Sequence, residues 1–411
     1  MNILVLNCGS SSLKYRLIDM PSETELAGGE AQRVGPPTAE PARIVHQTAG
    51  QPSQTRRVAM PDHFTAFEQI LKLLTEELCP APDAIGHRVV HGGSRFHQHT
   101  AVDDRVLADL DAVSGLAPLH NPPAVRLLKF CREQYPHLPN VAVFDTVFHS
   151  TIPECAYTYA LPPALREDLG IRKYGFHGIS HQYVATEAAR LMGWPLRTLN
   201  AVSCHLGSGG ASLCAIVNGQ SVDNTMGYSP LAGLLMSTRC GDLDPAVALH
   251  LLALHGGNPQ AVEKLLNRQS GVLGLSGYSG DIRDALAGDP AHPGPNERLD
   301  ETVQVYLWRL RKYFGAYLAT VGHPDVVIFT DTIGETVPLV RQTMCTDMQA
   351  FGILFDDERN NQATSLPADI ATEDSPVRVM AIRTNEELAI ARYTDEVLRN
   401  TPHHETQEAL A

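Results

Sequence analysis

Residues 2–18 read NILVLNCGSSSLKYRLI: a short apolar run ends in Asn7, a glycine and three serines follow, and Lys14 stands two positions past the last serine. Backbone N–H groups and hydroxyls in such a turn converge on an anion while a nearby lysine adds charge, so the stretch suits a grip on phosphate. It is not a Walker loop, because G-x-x-x-x-G-K-[ST] is absent and Leu13, Tyr15 and Leu17 alternate with Lys14 and Arg16 at the period of a strand. The grip would be a β-hairpin using Asn7, Ser10, Ser12 and Lys14; a plain Gly/Ser turn with an exposed lysine accounts for the same letters. Residues 201–224, AVSCHLGSGGASLCAIVNGQSVDN, repeat the layout and put His205, Gly207, Ser208 and Gly209 at the equivalent turn. The repetition predicts a duplicated architecture, each half offering such a hairpin, with the ligand between them.

Two arginines extend the anion theme. Arg88 lies in the strand-like run of GHRVVHGG, and Arg239 lies in MSTRCGDLDP, just before a helix that Asp244 would cap and Pro245 would start. A fixed guanidinium holds a carboxylate or phosphate bidentately. Asp145 ends the run VAVFD, and the carboxyl ends of strands in an open α/β sheet are where ligands gather. It reads as a turn residue or, beside phosphate grips, as a holder of Mg²⁺ through water. His177 and His181, like His87 and His91, have the i, i+4 spacing of zinc ligands but lack the Glu of H-E-x-x-H. His177 reads instead as an anion-facing donor, or as a structural residue at a turn before a helix capped by Ser180.

The elements that must position these residues follow from the rest of the chain. With 411 residues, 43% of them hydrophobic, two domains with separate cores are expected. A net charge of −14 and the lack of any Lys/Arg run disfavour nucleic acid as a partner. The eight cysteines are scattered without a C-x-x-C pair, as in a reducing compartment. The first apolar run is too short for a signal sequence, and no run approaches the ~18 residues of a membrane span, so a soluble cytoplasmic protein is expected. Strand-like and helix-like runs alternate, an α/β pattern, with a helix over about 62–79 and another over about 299–321. RVGPPTAEPARIVHQTAGQPSQ and AGDPAHPGPNERLD read as surface excursions. A last helix begins near Asn385, with Thr384 as its N-cap, Glu387 completing a capping box and Glu386 left for chemistry; the tail TPHHETQEALA would fray.

Together NCGSSSLK, GHRVVHGG, PLHNPP, FDTVFHSTIP, YGFHGISH, CHLGSGGAS, DNTMGYSPLAGLLMSTRCGDLDP and RTNEELAIAR resemble the acetate kinase family, in that family's order and through nearly the whole chain. The resemblance implies an α/β protein of two domains with a duplicated actin/Hsp70/hexokinase-like (ribonuclease H-like) fold around a central cleft. Residues 1–147, joined by the helix 385–400, would form the acetate and phosphate domain, and 148–384 the phosphoryl-donor domain. It further implies a homodimer and a reversible phosphoryl transfer between a nucleotide and acetate, dependent on Mg²⁺ or Mn²⁺.

The same resemblance implies roles. Arg88 and Arg239 would hold acetate and the transferring phosphoryl group, with His177 on its equatorial oxygens and His120 assisting. Asn7, Asp145 and Glu386 would organise the metal, while Val90, Leu119, Phe176 and Pro230 would line a pocket for the acetate methyl. On the donor side would stand the 205–209 turn, Asp281 and Arg283 of SGDIR, and Asp331, Thr332 and Gly334 of VIFTDTIGET. The chemistry agrees: a carboxylate nucleophile has a pKa near ~4, arrives ionised and needs no general base. What remains is to bring two anions together and spread the charge of a loose in-line transition state, a task for Arg, His and Mg²⁺.

The departures from the family cluster on the donor side. Asp331 and Thr332 stand where the family has glycines, Thr336 replaces an Asn, Ser208 replaces an Asn, and HLGSGGAS carries one extra residue. Two added side chains, one anionic, crowd a nucleotide. The sequence therefore leaves open whether the donor is ATP, as in an ordinary acetate, propionate or butyrate kinase, or pyrophosphate and phosphate. A non-catalytic sensor of nucleotide or acetyl phosphate would be expected to have lost a catalytic residue, and none is lost.

Overall fold

The computed structural model describes residues 1–36, 40–118, 120–288 and 297–401. The opening alternation folds into β1 (Asn2–Cys8) and β2 (Ser12–Asp19), an antiparallel hairpin that buries Leu13, Tyr15 and Leu17 and leaves Lys14 exposed. β3 (Thr24–Gln32), β4 (Arg43–Thr48) and β5 (Gln54–Arg57) extend the meander on one side. On the other, β6 (Ala84–Val89) and β8 (Asn140–Phe144) run parallel to β1, and the short β7 (Thr100–Ala101) closes the edge. The strand order is β5-β4-β3-β2-β1-β6-β8-β7.

The second sheet repeats the core of this plan. β9 (Ala201–Leu206), β10 (Ala211–Val217) and β11 (Gln220–Asn224) form an antiparallel meander, and β12 (Val326–Thr330) and β14 (Arg378–Ala381) follow parallel to β9. With the two-residue β13 (Ala368–Asp369) the order is β11-β10-β9-β12-β14-β13, so β3-β2-β1-β6-β8 and β11-β10-β9-β12-β14 share one topology. Even the hairpin turns match: Gly9 N–H donates to Ser12 O (2.9 Å) and Gly207 N–H to Gly210 O (3.0 Å).

The chain divides into two compact units, Met1–Val147 with Asn385–Ala411, and Phe148–Thr384. In the first, the helices His63–Glu76 and Asn121–Gln134 pack Phe67, Ile70, Leu74 and Leu127 against Leu4, Leu6 and Leu17 of the sheet. In the second, the helix Gly178–Met192 packs Val184, Ala185 and Ala188 against Ala201, Ile216 and Ile328.

Four local expectations need correction. Within the excursion at residues 33–54, β4 adds to the sheet because Ile44 and His46 alternate inward, and the Tyr15 hydroxyl lies 2.6 Å from His46 Nδ1. The last helix, Glu386–Asn400, is capped by Asn385, whose Oδ1 accepts from Leu388 N–H at 2.9 Å. Thr384 is unavailable as a cap: its hydroxyl meets Ser180 Oγ (2.9 Å) and its N–H donates to Glu335 Oε1 (3.2 Å). Glu386 is thus the first helical residue and Glu387 the second, so no capping box forms. Ser180 lies inside its helix, whose start is set by His177 in the left-handed conformation (φ 58°). Most of the second excursion, residues 289–296, lies outside the described residues, as does the tail from residue 402.

Candidate active site

In the first unit the strand registers gather a row of polar residues. Asn7 faces Lys14 across the β1–β2 ladder, and β1 running parallel to β6 brings Asn7 Oδ1 to 3.5 Å from Arg88 Nη1. Arg88 donates Nε–H to Asp145 Oδ1 (3.0 Å) and Nη2–H to Asp145 Oδ2 (2.6 Å), a bidentate pair, and its Nη1 lies 3.6 Å from Glu386 Oε2. Asp145 is 2% exposed, held past the end of β8 by its N–H to Val89 O (3.1 Å). Burial pulls the guanidinium pKa down, and the facing Asp145 and Glu386 carboxylates more than reverse it, so Arg88 stays charged.

Around this row, Ser10 is exposed at the turn and Ser12 opens β2. His120 stands at the N-cap of the helix Asn121–Gln134. Asn121 ties that helix to the segment after β6, accepting from His91 N–H (3.1 Å) and donating to His91 O (2.7 Å). Val90 is half-buried there, and Leu119 lies outside the described residues.

In the second unit, His177 and Arg239 converge on one spot. A Cβ placed on Gly210 would lie 3.5 Å from Arg239 Nη1 and 3.5 Å from His177 Nε2. Gly210 therefore leaves a gap between two donors, as an anion site requires. Arg239 donates to Pro230 O (3.1 Å) and, among the described residues, has no carboxylate partner. His177 Nδ1 lies 2.8 Å from Ser212 Oγ, which also meets His181 Nε2 (2.9 Å); His181 Nδ1 meets Ser203 Oγ (2.9 Å). Burial lowers the pKa of His181 and takes that of His149 to about 4, so both are neutral at pH 7. His149 Nε2 meets the carbonyl of the fully buried Phe176 at 2.9 Å. The His177 ring stacks on His205, centroids 4.1 Å apart.

The segments assigned to the donor meet at the β9–β10 turn. Gly207 and Ser208, Gly280 and Ile282, and Ile333 line one cleft. Gly209 is exposed beside it. Asp281 accepts from Arg283 N–H (2.9 Å) as the cap of its helix, and its Oδ2 pairs with Arg283 Nη2 at 2.5 Å. Asp331 is left-handed (φ 62°), its Oδ2 is 3.1 Å from His205 Nε2, and its Oδ1 accepts from Thr332 N–H (2.6 Å) and O–H (2.8 Å). Burial opposes ionisation of Asp331, but the His205 and Thr332 donors outweigh it and hold the carboxyl well below its ordinary range. Gly334 packs inward, a Cβ there meeting Phe329 C at 3.4 Å and Cys204 O at 3.6 Å, so it serves packing rather than an open ligand surface. Thr336 donates to Thr332 O (2.6 Å).

The serine–histidine relay through Ser180, Ser203 and Ser212 escaped sequence reasoning. Its signal was present in the small polar residues of two apolar strands: Ser212 pairs with His205 in the β9–β10 register, and His205 Nδ1 lies 2.8 Å from Ser180 Oγ.

Known proteins resemble this chain over nearly its full length. The acetokinase family model matches residues 2–392. The acetate kinase of Dictyoglomus turgidum is 45% identical over 404 residues, covering 97% of this chain and 98% of its own. The crystal structure of Porphyromonas gingivalis acetate kinase superposes with a TM-score of 0.89 at 37% identity, covering 97% of this chain and 99% of that one. That of a propionate kinase from Francisella tularensis subsp. tularensis gives 0.88 at 34%, covering 96% and 99%. The duplicated sheets are those of the two-domain actin/Hsp70/sugar-kinase-like fold. With this topology, these paired hairpins and a match over nearly its full length, the chain belongs to the acetokinase family.

Proposed function

We propose that this protein catalyses reversible, Mg²⁺-dependent phosphoryl transfer between ATP and acetate, forming or consuming acetyl phosphate. The observation that carries the reading is the convergence of His177 Nε2 and Arg239 Nη1 on the gap at Gly210. A carboxylate oxygen of acetate attacks the γ-phosphorus, a new P–O bond forms, and the bond to the β-phosphate oxygen breaks with its electron pair leaving on ADP. No proton moves, because the nucleophile arrives ionised. Arg239 and His177 stabilise the oxygens of the transferring group, Arg88 aligns the carboxylate, and His120 assists. Asn7, Ser10, Ser12 and Lys14 steady phosphate, and Val90, Leu119, Phe176 and Pro230 receive the methyl group, apolar residues compatible with acetate or propionate. His205, Gly207, Ser208, Gly209, Asp281, Arg283 and Thr332 form the donor side.

The oxygen set of Asn7, Asp145 and Glu386 fits Mg²⁺. Both Asp145 oxygens already accept from Arg88, so these groups would hold the ion through its waters, the usual habit of Mg²⁺. When bound, the ion would neutralise charge on the donor phosphates.

Other features support the setting. All eight cysteines are free thiols, as in a reducing cytoplasm. The helix Pro245–Leu254, PAVALHLLAL, buries none of its residues, and Leu249 and Leu254 are 69% and 68% exposed, which supports a homodimer covering this face.

A second reading, pyrophosphate and phosphate in place of ATP and ADP, rests on Thr332 and Thr336, which stand where the resemblance places a glycine and the asparagine near the base. The test is turnover of acetyl phosphate by the purified protein with Mg²⁺, offering ADP or inorganic phosphate as acceptor. Stoichiometric ATP from ADP is expected; pyrophosphate from phosphate alone would establish the second reading, and turnover with neither would sink both.

A further inference from the structure

We propose that Asp331 is an internal anion that guards the Gly207 end of the β9–β10 turn against the phosphate tail of the donor, making it a specificity-determining residue. The inference rests on the phosphotransferase reading above and deepens it.

The two ends of this turn have opposite character. At Gly210 the space beside the backbone faces Arg239 Nη1 and His177 Nε2. At Gly207, a Cβ would fall 2.3 Å from Asp331 Oδ2, so a carboxylate already stands in the space that the missing side chain leaves. The donors nearest that place are spent on it: His205 Nε2 on Oδ2 at 3.1 Å, and the N–H and O–H of Thr332 on Oδ1. The backbone conformation of Asp331 locks the arrangement, since φ 62° is readily adopted only by Gly, Asn and Asp, and its own N–H donates to Glu335 Oε1 at 3.0 Å.

A single phosphoryl group at the Gly210 end therefore meets donors, whereas a second phosphate reaching Gly207 meets a half-buried carboxylate. Like charges in such a place repel strongly, so the second phosphate must break the His205–Asp331 pair to enter. The class disfavoured is the phosphoanhydrides, ADP, ATP and pyrophosphate alike. Acyl phosphates, with one phosphoryl group, are spared. Asp331 thus weakens binding of either donor rather than choosing between them; that choice falls to the space available for the base.

The test uses the full chain as wild type, Asp331→Gly and Asp331→Asn, two replacements that tolerate the left-handed backbone. Isothermal titration with ADP and with pyrophosphate, at fixed Mg²⁺, is read beside the KM for acetyl phosphate. The glycine variant is expected to bind both phosphoanhydrides at least about tenfold more tightly and the asparagine variant to fall between, with a smaller change in the acetyl phosphate KM. Folded variants whose affinity for ADP and pyrophosphate stays the same or weakens would overturn the proposal, as would an equal gain for acetyl phosphate. Wild-type protein that turns over no acetyl phosphate would instead overturn the functional reading, and the two titrations would still decide the role of Asp331.

Discussion

Arg88 and Arg239 carry the same guanidinium in opposite surroundings. Arg88 is pinned by both oxygens of the buried Asp145 and faces Glu386, so its charge is balanced before any substrate arrives. Among the described residues, Arg239 donates to the Pro230 carbonyl and the Met236 sulfur and has no carboxylate partner. The difference teaches that one arginine is locked into the scaffold of its unit, while the other keeps a charge that no described carboxylate balances.

The strongest test of the contrast is Arg239→Ala. We expect turnover of acetyl phosphate to fall about 10³-fold, the size of effect typical of a lost oxyanion donor, with the melting temperature unchanged. Melting as altered as that of an Arg88 variant would erase the distinction. Arg88→Ala should destabilise the fold by roughly 3 kcal/mol in chemical denaturation, because Asp145 loses its partner, and adding Asp145→Asn should recover part of that loss.

Gly210→Ala sharpens the picture from the other side. Its Cβ would sit at ordinary contact distance from both donors, so the fold should hold while the KM for acetyl phosphate rises about tenfold through displaced phosphate. Unchanged KM would move the anion site elsewhere. Acid, by contrast, should not tell the halves apart. Burial takes His87 and His99 in the first unit and His149 in the second from the ordinary 6.5 to about 4. An imidazole depressed in this way leaves stability intact above 6.5 and erodes it as pH falls toward 4, because the unfolded chain binds the proton first. Denaturation midpoints should decline across that window; a flat profile would contradict the burial. The smallest effect is Asn385→Ala, about 1 kcal/mol for a lost N-cap.

Much of this was legible in the letters. The alternation of Leu13, Lys14, Tyr15, Arg16 and Leu17 dictated a strand and hence a hairpin, and Asp244-Pro245 marked a helix start that the structure has, with Asp244 Oδ1 accepting from Ala246 N–H. What failed was competition for polar groups over long sequence distance. Thr384 had the right chemistry for a cap, but Ser180 lies 204 positions away in sequence and claims its hydroxyl. Ser180 likewise had the makings of a cap, yet the left-handed His177 starts the helix earlier. Asp331 was legible as an intruder among expected glycines; that its carboxylate reaches Gly207 and His205 required the parallel pairing of β12 with β9, where Thr330 lies beside His205.

The helix Glu386–Asn400 packs into the first unit although it ends the described chain, Thr394 lying where a side chain on Gly86 would go and Arg392 pairing with Glu23 at 2.7 Å. On the ribosome, the amino-terminal sheet therefore lacks this helical partner until all of Phe148–Thr384 has been translated. The second unit has every one of its own strands in hand before that moment and is free to fold first. Glu386 reaches Arg88 only with this helix, so a nascent chain stopped before Asn385 holds the Arg88–Asp145 pair without the second carboxylate that faces it.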